Sequence, residues 1–195
     1  MTLKKISKIQ KVLVIGPLYH RVEKMAKVQD ELLEEYDHII INSGFFFPKE
    51  EYLTGRVSMI DEMLRSGKAT YLLGRQDYML WSDLDPHDEN AKWIIQQPNV
   101  ANVEFENGYQ FTVMDGGVPK GIKEASELQD NQEASFLVNW HESYDGALGF
   151  VISNKPLTTT KPKMHRFSMQ IGTLPSCPTY AIEMGQYGLN RIISL

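Results

Sequence analysis

Side chains that could bind a metal ion or a phosphate group follow several apolar stretches of the sequence. They combine carboxylate, imidazole, amide and phenol groups with two cations: Tyr19, His20, Arg75, Gln76, Asp77, Asp115, Asn154 and Lys155. Oxygen and imidazole ligands suit divalent ions such as Mn²⁺, Fe²⁺ or Zn²⁺. Arg75 and Lys155 could instead bind a phosphate directly through charge-assisted hydrogen bonds. The residue types therefore allow a metal site or a metal-free phosphate site.

Five apolar stretches end just before these polar segments, and each stretch is typical of a short buried strand. The stretches and the segments that follow are 12–15 with GPLYH, 39–42 with SGFFFPK, 71–73 with GRQDY, 111–114 with DGGVP and 150–152 with SNKPL. In a parallel sheet, ligands gather beyond the carboxyl ends of the strands. We therefore expect the five strand ends to converge on one site.

The first half of the chain alternates between strand and helix patterns. Strands are predicted at 11–16, 37–42 and 69–74, a helix is predicted over 22–36, and a second helix is predicted to end at Gly67. A β-α-β-α-β series implies a parallel sheet with right-handed crossovers.

The second half has a different pattern, with one more helical segment at 88–97 and a hairpin whose turn is Asn107-Gly108. Residues 132–140 read as a helix, and short strands follow at 148–153, 165–171, 178–184 and 189–194, with a mobile surface loop at 158–163. The chain is therefore predicted to be a mixed α/β sandwich.

Composition narrows the possible classes of protein. With 195 residues, 42% of them hydrophobic, the chain fits a single domain over 1–195. A net charge of −5 argues against duplex nucleic acid or an anionic membrane as partner. Cys177 is the only cysteine, which favours a reducing, cytoplasmic location. The apolar run before Pro17 is too short for a signal peptide or a membrane span.

The order and spacing of the five strand ends resemble the calcineurin-like metallophosphoesterases, in the branch of the serine/threonine and diadenosine tetraphosphate phosphatases. The motifs of that family are GDxHG, GDxxDRG, GNHE/D, a strand followed by HGG, and GHT. QIGT at 170–173, followed by YAIEM, is similar to the late IDTG strand and its partner. The resemblance implies a four-layer α/β/β/α sandwich with mixed sheets. It also implies a pair of metal ions that activate a hydroxide for phosphoester hydrolysis.

At the first two motifs, the residues that stand at the family's ligand positions are of types that do not hold a metal pair. The first Asp and His of the family are replaced by Pro17 and Tyr19, the bridging Asp falls on Gly44, and the second-motif Asp and Arg fall on Phe47 and near Pro48-Lys49. A register shift of one residue would bring His20 into the first site. Without the bridging carboxylate, two cations would repel each other.

The later motifs are altered as well. Arg75 stands for the ligand Asn, Gln76 for the acid/base His, Asp115 for the next His and Asn154 for the last, while Asp77 is retained. The resemblance therefore implies a degenerate member without a dinuclear centre and without a cofactor.

Three functions follow from this pattern. The first is a catalytically inactive binding or scaffold module with an unknown protein partner and an unknown oligomeric state. The second is a metal-dependent phosphoesterase with a rearranged Mn, Fe or Zn site built from some of His20, Asp77, Asp115, Asn154 and His141. The third is a metal-free binder of phosphate or a nucleotide, centred on Arg75.

Individual residues also have simpler interpretations. His20 could cap a helix, Asp77 could make hydrogen bonds within its loop, Asp115 could belong to a turn before two glycines, and His141 could lie in a polar loop. The aromatic run of Phe45, Phe46 and Phe47 could be an exposed patch for a partner, or it could fill the space left by metals and ligands.

Overall fold

The computed structural model describes residues 3–16, 18, 21–42, 44–46, 53–115, 136–141, 167–172 and 180–195. These residues form two five-stranded sheets and a layer of helices. The strands of the first sheet are β2 (Lys11–Ile15), β3 (His38–Asn42), β4 (Ala69–Leu72), β9 (Tyr180–Gly185) and β10 (Gly188–Ser194). Their order is β10-β9-β2-β3-β4, with β2, β3 and β4 parallel and β9 antiparallel to β2.

The helices of the described residues connect and cover this sheet. They are α1 (Val22–Lys27), which continues as a π-helical segment over Val28–Leu32, α2 (Leu53–Arg65), α3 (Arg75–Asp83) and α4 (Glu89–Gln96). The predicted β-α-β-α-β series is confirmed. The predicted helix over 22–36 is shorter, since the helical backbone ends at Leu32 and Tyr36 lies in a bend. Helix α3 was not predicted.

The second sheet contains the hairpin of the second half. Its strands are β1 (Leu3–Ile9), β5 (Val100–Phe105), β6 (Gln110–Asp115), β7 (Phe136–His141) and β8 (Phe167–Gly172), in the order β1-β5-β6-β7-β8. The predicted turn at Asn107-Gly108 is confirmed, and Gly108 has a φ of 81°, which glycine adopts without strain. Both sheets contain parallel and antiparallel pairs, as a mixed sandwich requires.

The predicted helix over 132–140 is wrong where the structure describes it, because residues 136–141 form strand β7. This strand pairs in parallel with β6 on one side and β8 on the other. A short apolar run suits a buried strand as well as a helix, so only these neighbours decide its conformation. The predicted strand at 148–153 and the predicted loop at 158–163 lie outside the described residues.

Strand β1 has a weak sequence signal because it lies at a sheet edge. Only Ile6 and Ile9 are buried, and the lysines beside them are exposed. Charged edge strands are common because they discourage pairing with other chains. Its parallel pairing with β5 therefore depends on the tertiary fold.

Alternation along the strands of the first sheet produces two cores. In β3, Ile39 and Ile41 face the helices, whereas Ile40 faces the second sheet. Apolar residues from α1 to α4 complete the first core, and residues of β1, β5 and β6 complete the second. The described residues thus supply a helical layer and two sheets. No helix among them is long and apolar enough to cross a membrane.

Candidate functional site

The carboxyl ends of β2, β3 and β4 lie side by side. Ile15 is the register partner of Ile41, and Asn42 is the partner of Leu72. The polar segments that follow these strands therefore leave the sheet at one edge, as the strand-end pattern predicts.

The second sheet contributes to the same edge. The Leu73 N–H, one residue after β4, donates a 2.8 Å hydrogen bond to the carbonyl oxygen of Pro98, just before β5 begins. Strand β6 is antiparallel to β5, and Met114 pairs with Val100, so β6 ends where β5 starts. Four of the five predicted strand ends thus converge on this region, which we call the shared edge. The fifth, at 150–152, lies outside the described residues.

Strands β7 and β8 run parallel to β6, so their carboxyl ends also reach the shared edge. His141 is the last residue of β7 and pairs in register with Gly172 of β8. The interpretation of His141 as a loop residue is therefore wrong. Its place at the end of a strand was not predicted, because the residues before it were interpreted as a helix.

Asp77 lies in the first turn of α3 and is fully buried. One carboxylate oxygen accepts a 2.8 Å hydrogen bond from the Tyr71 hydroxyl, and the other accepts a 2.9 Å bond from the Gly74 N–H. The contact with Gly74 satisfies a backbone donor at the start of the helix. Both oxygens therefore hold the β4–α3 connection together.

Replacing Asp77 by asparagine tests this role. An amide oxygen can accept only from one side of the group, so Asp77→Asn should lose one charge-assisted bond and about 1–3 kcal/mol in the free energy of unfolding. Denaturant unfolding followed by circular dichroism measures this loss. Tyr71→Phe should have an effect in the same direction, whereas Asp83→Asn, at an exposed position of the same helix, should have almost none. Unchanged stability of Asp77→Asn would contradict the assignment.

The segment after β3 places Gly44 at the position where the resemblance expects the bridging Asp, and two aromatic residues follow it. Gly44 has a φ of 70°, a conformation that other residues rarely adopt. Phe45 and Phe46 are buried, with exposed fractions of 0% and 1%. The interpretation of these two rings as an exposed patch is therefore wrong, and they belong to the core between the first sheet and the helices. Phe47 lies outside the described residues.

Asn42 is a site residue that the sequence analysis missed. It ends β3 at the shared edge, is fully buried, and has no hydrogen-bond partner for Oδ1 or Nδ2 among the described residues. By alternation its side chain lies on the same face as Ile40, toward the second sheet. Buried amides are normally hydrogen-bonded. A buried water molecule would supply the hydrogen-bond partners that this amide lacks among the described residues.

The remaining predicted site residues are described only in part. Arg75 and Gln76 are the first two residues of α3, and Asp115 is the last residue of β6, so all three backbones are at the shared edge. Tyr19, His20, Asn154 and Lys155 lie outside the described residues. Within the part of the chain that is described, no three His, Cys, Asp or Glu side chains are grouped to hold a metal ion.

A second polar cluster lies away from the shared edge, near the start of β2. Glu183 accepts hydrogen bonds of 2.9 Å from the Tyr36 hydroxyl and 2.9 Å from Arg191 Nε, and one of 3.2 Å from Asn190. Burial raises the pKa of Glu183, but these bonds and Lys11 outweigh it and hold the pKa below its usual value. Burial and the bond to Glu183 raise the pKa of Tyr36 to about 12. The cluster joins β9 and β10 to the bend at Tyr36. Its only sequence signal is a lone acid in the apolar strand YAIEM.

Comparisons with known proteins give a clear result for structure only. The sequence matches no protein-family model and no curated protein. The structure is similar to a crystal structure described as a "putative diadenosine tetraphosphatase", with 13% identity, 100% of this chain and 97% of that chain covered, and a TM-score of 0.53. It is also similar to a conserved uncharacterized protein from Streptococcus pneumoniae TIGR4, a predicted phosphoesterase, with 10% identity, 95% and 98% coverage, and a TM-score of 0.53.

Identities this low show a common fold and no common activity. The two mixed sheets and the helical layer agree with the α/β fold that the resemblance implies, and the described residues supply three of the four layers of the predicted sandwich. This chain has the calcineurin-like metallophosphoesterase fold.

Proposed function

We propose that this chain is a catalytically inactive protein of phosphoesterase fold that acts as a binding or scaffold module. The observation that carries the proposal is the state of Asp77, the one acidic residue retained from the third motif. Both of its oxygens already accept hydrogen bonds from Tyr71 and Gly74. Because Asp77 is also fully buried, neither oxygen is exposed to a metal ion.

The surroundings of β3 support the same conclusion. A metal pair needs several anionic or neutral oxygen and nitrogen ligands to balance its charge. After β3 the chain instead has Gly44 followed by two buried aromatic rings. Phe46 packs against Tyr71 and Trp93, with ring centroids 5.2 Å and 5.9 Å apart. The glycine at the position of the family's bridging Asp supplies no ligand, and the two rings that follow it are packed into the core.

The binding role follows from the fold without its hydrolytic chemistry. The proposed partner is another protein, whose identity the fold does not indicate.

Metal analysis tests the proposal directly. After incubation with Mn²⁺, Zn²⁺ and Fe²⁺ and desalting, the protein should contain almost no metal by elemental mass spectrometry. It should also hydrolyse neither p-nitrophenyl phosphate nor diadenosine tetraphosphate when Mn²⁺ is added. One or two metal ions per chain, or turnover that a chelator abolishes, would contradict the proposal. That result would favour the rearranged phosphoesterase site, in which Asp115→Ala should then abolish turnover.

A metal-free phosphate or nucleotide binder is the second candidate, favoured by the position of Arg75. This residue opens α3 at the shared edge, where the partial positive charge of a helix N-terminus favours anions. Calorimetric titration with inorganic phosphate and ATP in EDTA distinguishes the two candidates. Saturable heat that Arg75→Ala abolishes would establish the second candidate, and absence of heat would exclude it.

A further inference from the structure

Two hairpin turns, one from each sheet, meet at the end of the sheets opposite the shared edge. The first joins β5 to β6 through Asn107 and Gly108, and the second joins β9 to β10 at Gln186. Asn107 Nδ2 donates a 2.7 Å hydrogen bond to the carbonyl oxygen of Gln186. A Cβ atom added at Gly188 would lie 3.7 Å from the Tyr109 hydroxyl oxygen, so the two turns are close neighbours. The Asn107 amide therefore links the tips of the two sheets.

Asn107 precedes a glycine, and this is the only Asn-Gly pair in the sequence. In such a pair the backbone nitrogen of the glycine can attack the side-chain carbonyl carbon of the asparagine, because glycine has no Cβ atom to obstruct the approach. Asparagine accordingly counts among the thermolabile residues of proteins. Asn107 is exposed, and a Cβ atom added at Gly108 would meet no atom within 4 Å, so water reaches both groups. The turn thus offers both reacting groups and the water that deamidation needs.

The Asn107 side chain is folded over the backbone that follows it. Its Oδ1 accepts a 3.0 Å hydrogen bond from the Tyr109 N–H, two residues on, which forms an Asx turn. This bond holds the side-chain carbonyl group near Gly108 and withdraws electron density from its carbon. The Gly108 N–H donates a 2.9 Å hydrogen bond to the carbonyl oxygen of Phe105, so the nitrogen attacks only when the turn opens locally.

We propose that Asn107 is a site of spontaneous deamidation, and that the reaction releases the contact between the two turns. The Gly108 nitrogen loses its proton and forms a bond to Asn107 Cγ, the Cγ–Nδ2 bond breaks, and Nδ2 leaves with a proton as ammonia. The product is a cyclic succinimide. One water molecule then opens the ring, at Cγ to give an aspartate or at the backbone carbonyl carbon to give an isoaspartate. No electron is transferred, and water is the only co-reactant.

Both products lose the donor that holds the turns together. A carboxylate cannot donate to the Gln186 carbonyl oxygen, and its charge is repelled by that oxygen and by the neighbouring Glu106. The isoaspartate also lengthens the backbone of the turn by one methylene group. Deamidation therefore loosens the β9–β10 turn irreversibly. This inference does not depend on the proposed scaffold function, since the shared edge lies at the other end of β6.

Peptide mapping by mass spectrometry tests the proposed site. The full chain is incubated for several days at 37 °C, at pH 6 and at pH 8, and is then digested. We expect Asn107 to be converted into the aspartate and isoaspartate forms, and faster at pH 8 because the attacking nitrogen must lose a proton. Asn102 and Asn190, which precede valine and arginine, should remain amides in the same digest.

Two further samples define the mechanism. Asn107→Gln should abolish the modification, because the longer side chain would have to close a larger and less favourable ring. The unmodified chain unfolded in guanidinium chloride should react about tenfold faster at Asn107 than the folded chain, since its turn is open.

Hydrogen–deuterium exchange measures the proposed release. Asn107→Asp reproduces one of the two products, and the backbone amides of 186–188 should exchange about threefold faster or more in this variant than in the unmodified chain. Gln96→Glu adds the same charge at an exposed position of α4 and should leave the exchange of these amides unchanged.

Three results would overturn the proposal. Absence of modified Asn107 in the folded chain would exclude the site, and conversion of Asn102 or Asn190 at the same rate would show that the turn does not direct the reaction. Equal exchange at 186–188 in Asn107→Asp and the unmodified chain would refute the release of the turn. Failure of the metal and hydrolysis predictions would leave these measurements unaffected, since none of them involves a metal ion or a phosphoester.

Discussion

Replacing Phe46 by alanine should destabilise the protein by about 3–5 kcal/mol, the usual cost of removing a large aromatic ring from a core. Phe46 is 1% exposed, and its ring contacts the rings of Phe45, Tyr71 and Trp93 at centroid distances of 5.8, 5.2 and 5.9 Å. Its removal would leave a cavity in the core between the segment after β3, strand β4 and helix α4. Denaturant unfolding monitored by tryptophan fluorescence measures the change in the free energy of unfolding.

Two variants make this result specific. Phe46→Leu keeps most of the apolar volume and should cost clearly less than the alanine variant. Met79→Ala removes an apolar side chain that is 58% exposed and should change stability by less than about 0.5 kcal/mol. If Phe46→Ala were as stable as Met79→Ala, the ring would not be part of the core. The run of Phe45, Phe46 and Phe47 would then again be interpreted as an exposed patch for a partner protein.

The second large effect is a loss of stability in mild acid through His38. This residue begins β3, is 6% exposed, and its Nε2 lies 2.8 Å from the Thr70 hydroxyl. Burial, helped by the positive charge of Lys4, lowers the pKa of His38 to about 4. The unfolded chain binds the proton at the ordinary histidine pKa of about 6.5. The contribution of neutral His38 to the free energy of unfolding is therefore complete above pH 6.5, and it is lost as the pH falls toward 4.

A difference of this size between the two pKa values corresponds to about 3 kcal/mol of folding free energy. Urea unfolding at a series of pH values between 7.5 and 4 should show the decline. His38→Gln should remove this part of the decline in the free energy of unfolding with falling pH. The part of the decline that comes from the carboxylates should remain. His87 is exposed, so His87→Gln should retain the full decline and serves as the control. Equal slopes in all three proteins would refute the assignment to His38.

The local pattern of the sequence predicted most of the first sheet correctly. Strands β2, β3 and β4 are short apolar runs that end at glycine or polar segments, and helix α2 ends near Gly67 as predicted. These signals are local, since hydrophobic periodicity and helix termination depend on residues a few positions apart. The convergence of strand ends followed from topology, because parallel strands place their carboxyl ends at one edge.

Other features depended on contacts between distant segments. Residues 136–141 are a strand because β6 and β8 flank them, and their own apolar pattern did not distinguish strand from helix. Helix α3 was missed because its first residues were interpreted as a ligand-bearing loop. Within it, the Asp77 bond to Gly74 spans three residues, and the bond to Tyr71 requires β4 to lie directly before the helix.

The sequence by itself determined the alternation of elements and the meeting of strand ends, because these depend on residue type and short spacing. Only the tertiary structure decided that Phe45 and Phe46 are core residues, since Trp93, far along the chain, completes their environment. It alone revealed, within the described part of the chain, that the Asn42 amide and the Arg56 Nε are buried without a hydrogen-bond partner. Burial and hydrogen-bond satisfaction are properties of packed neighbours, and no local pattern of residues specifies them.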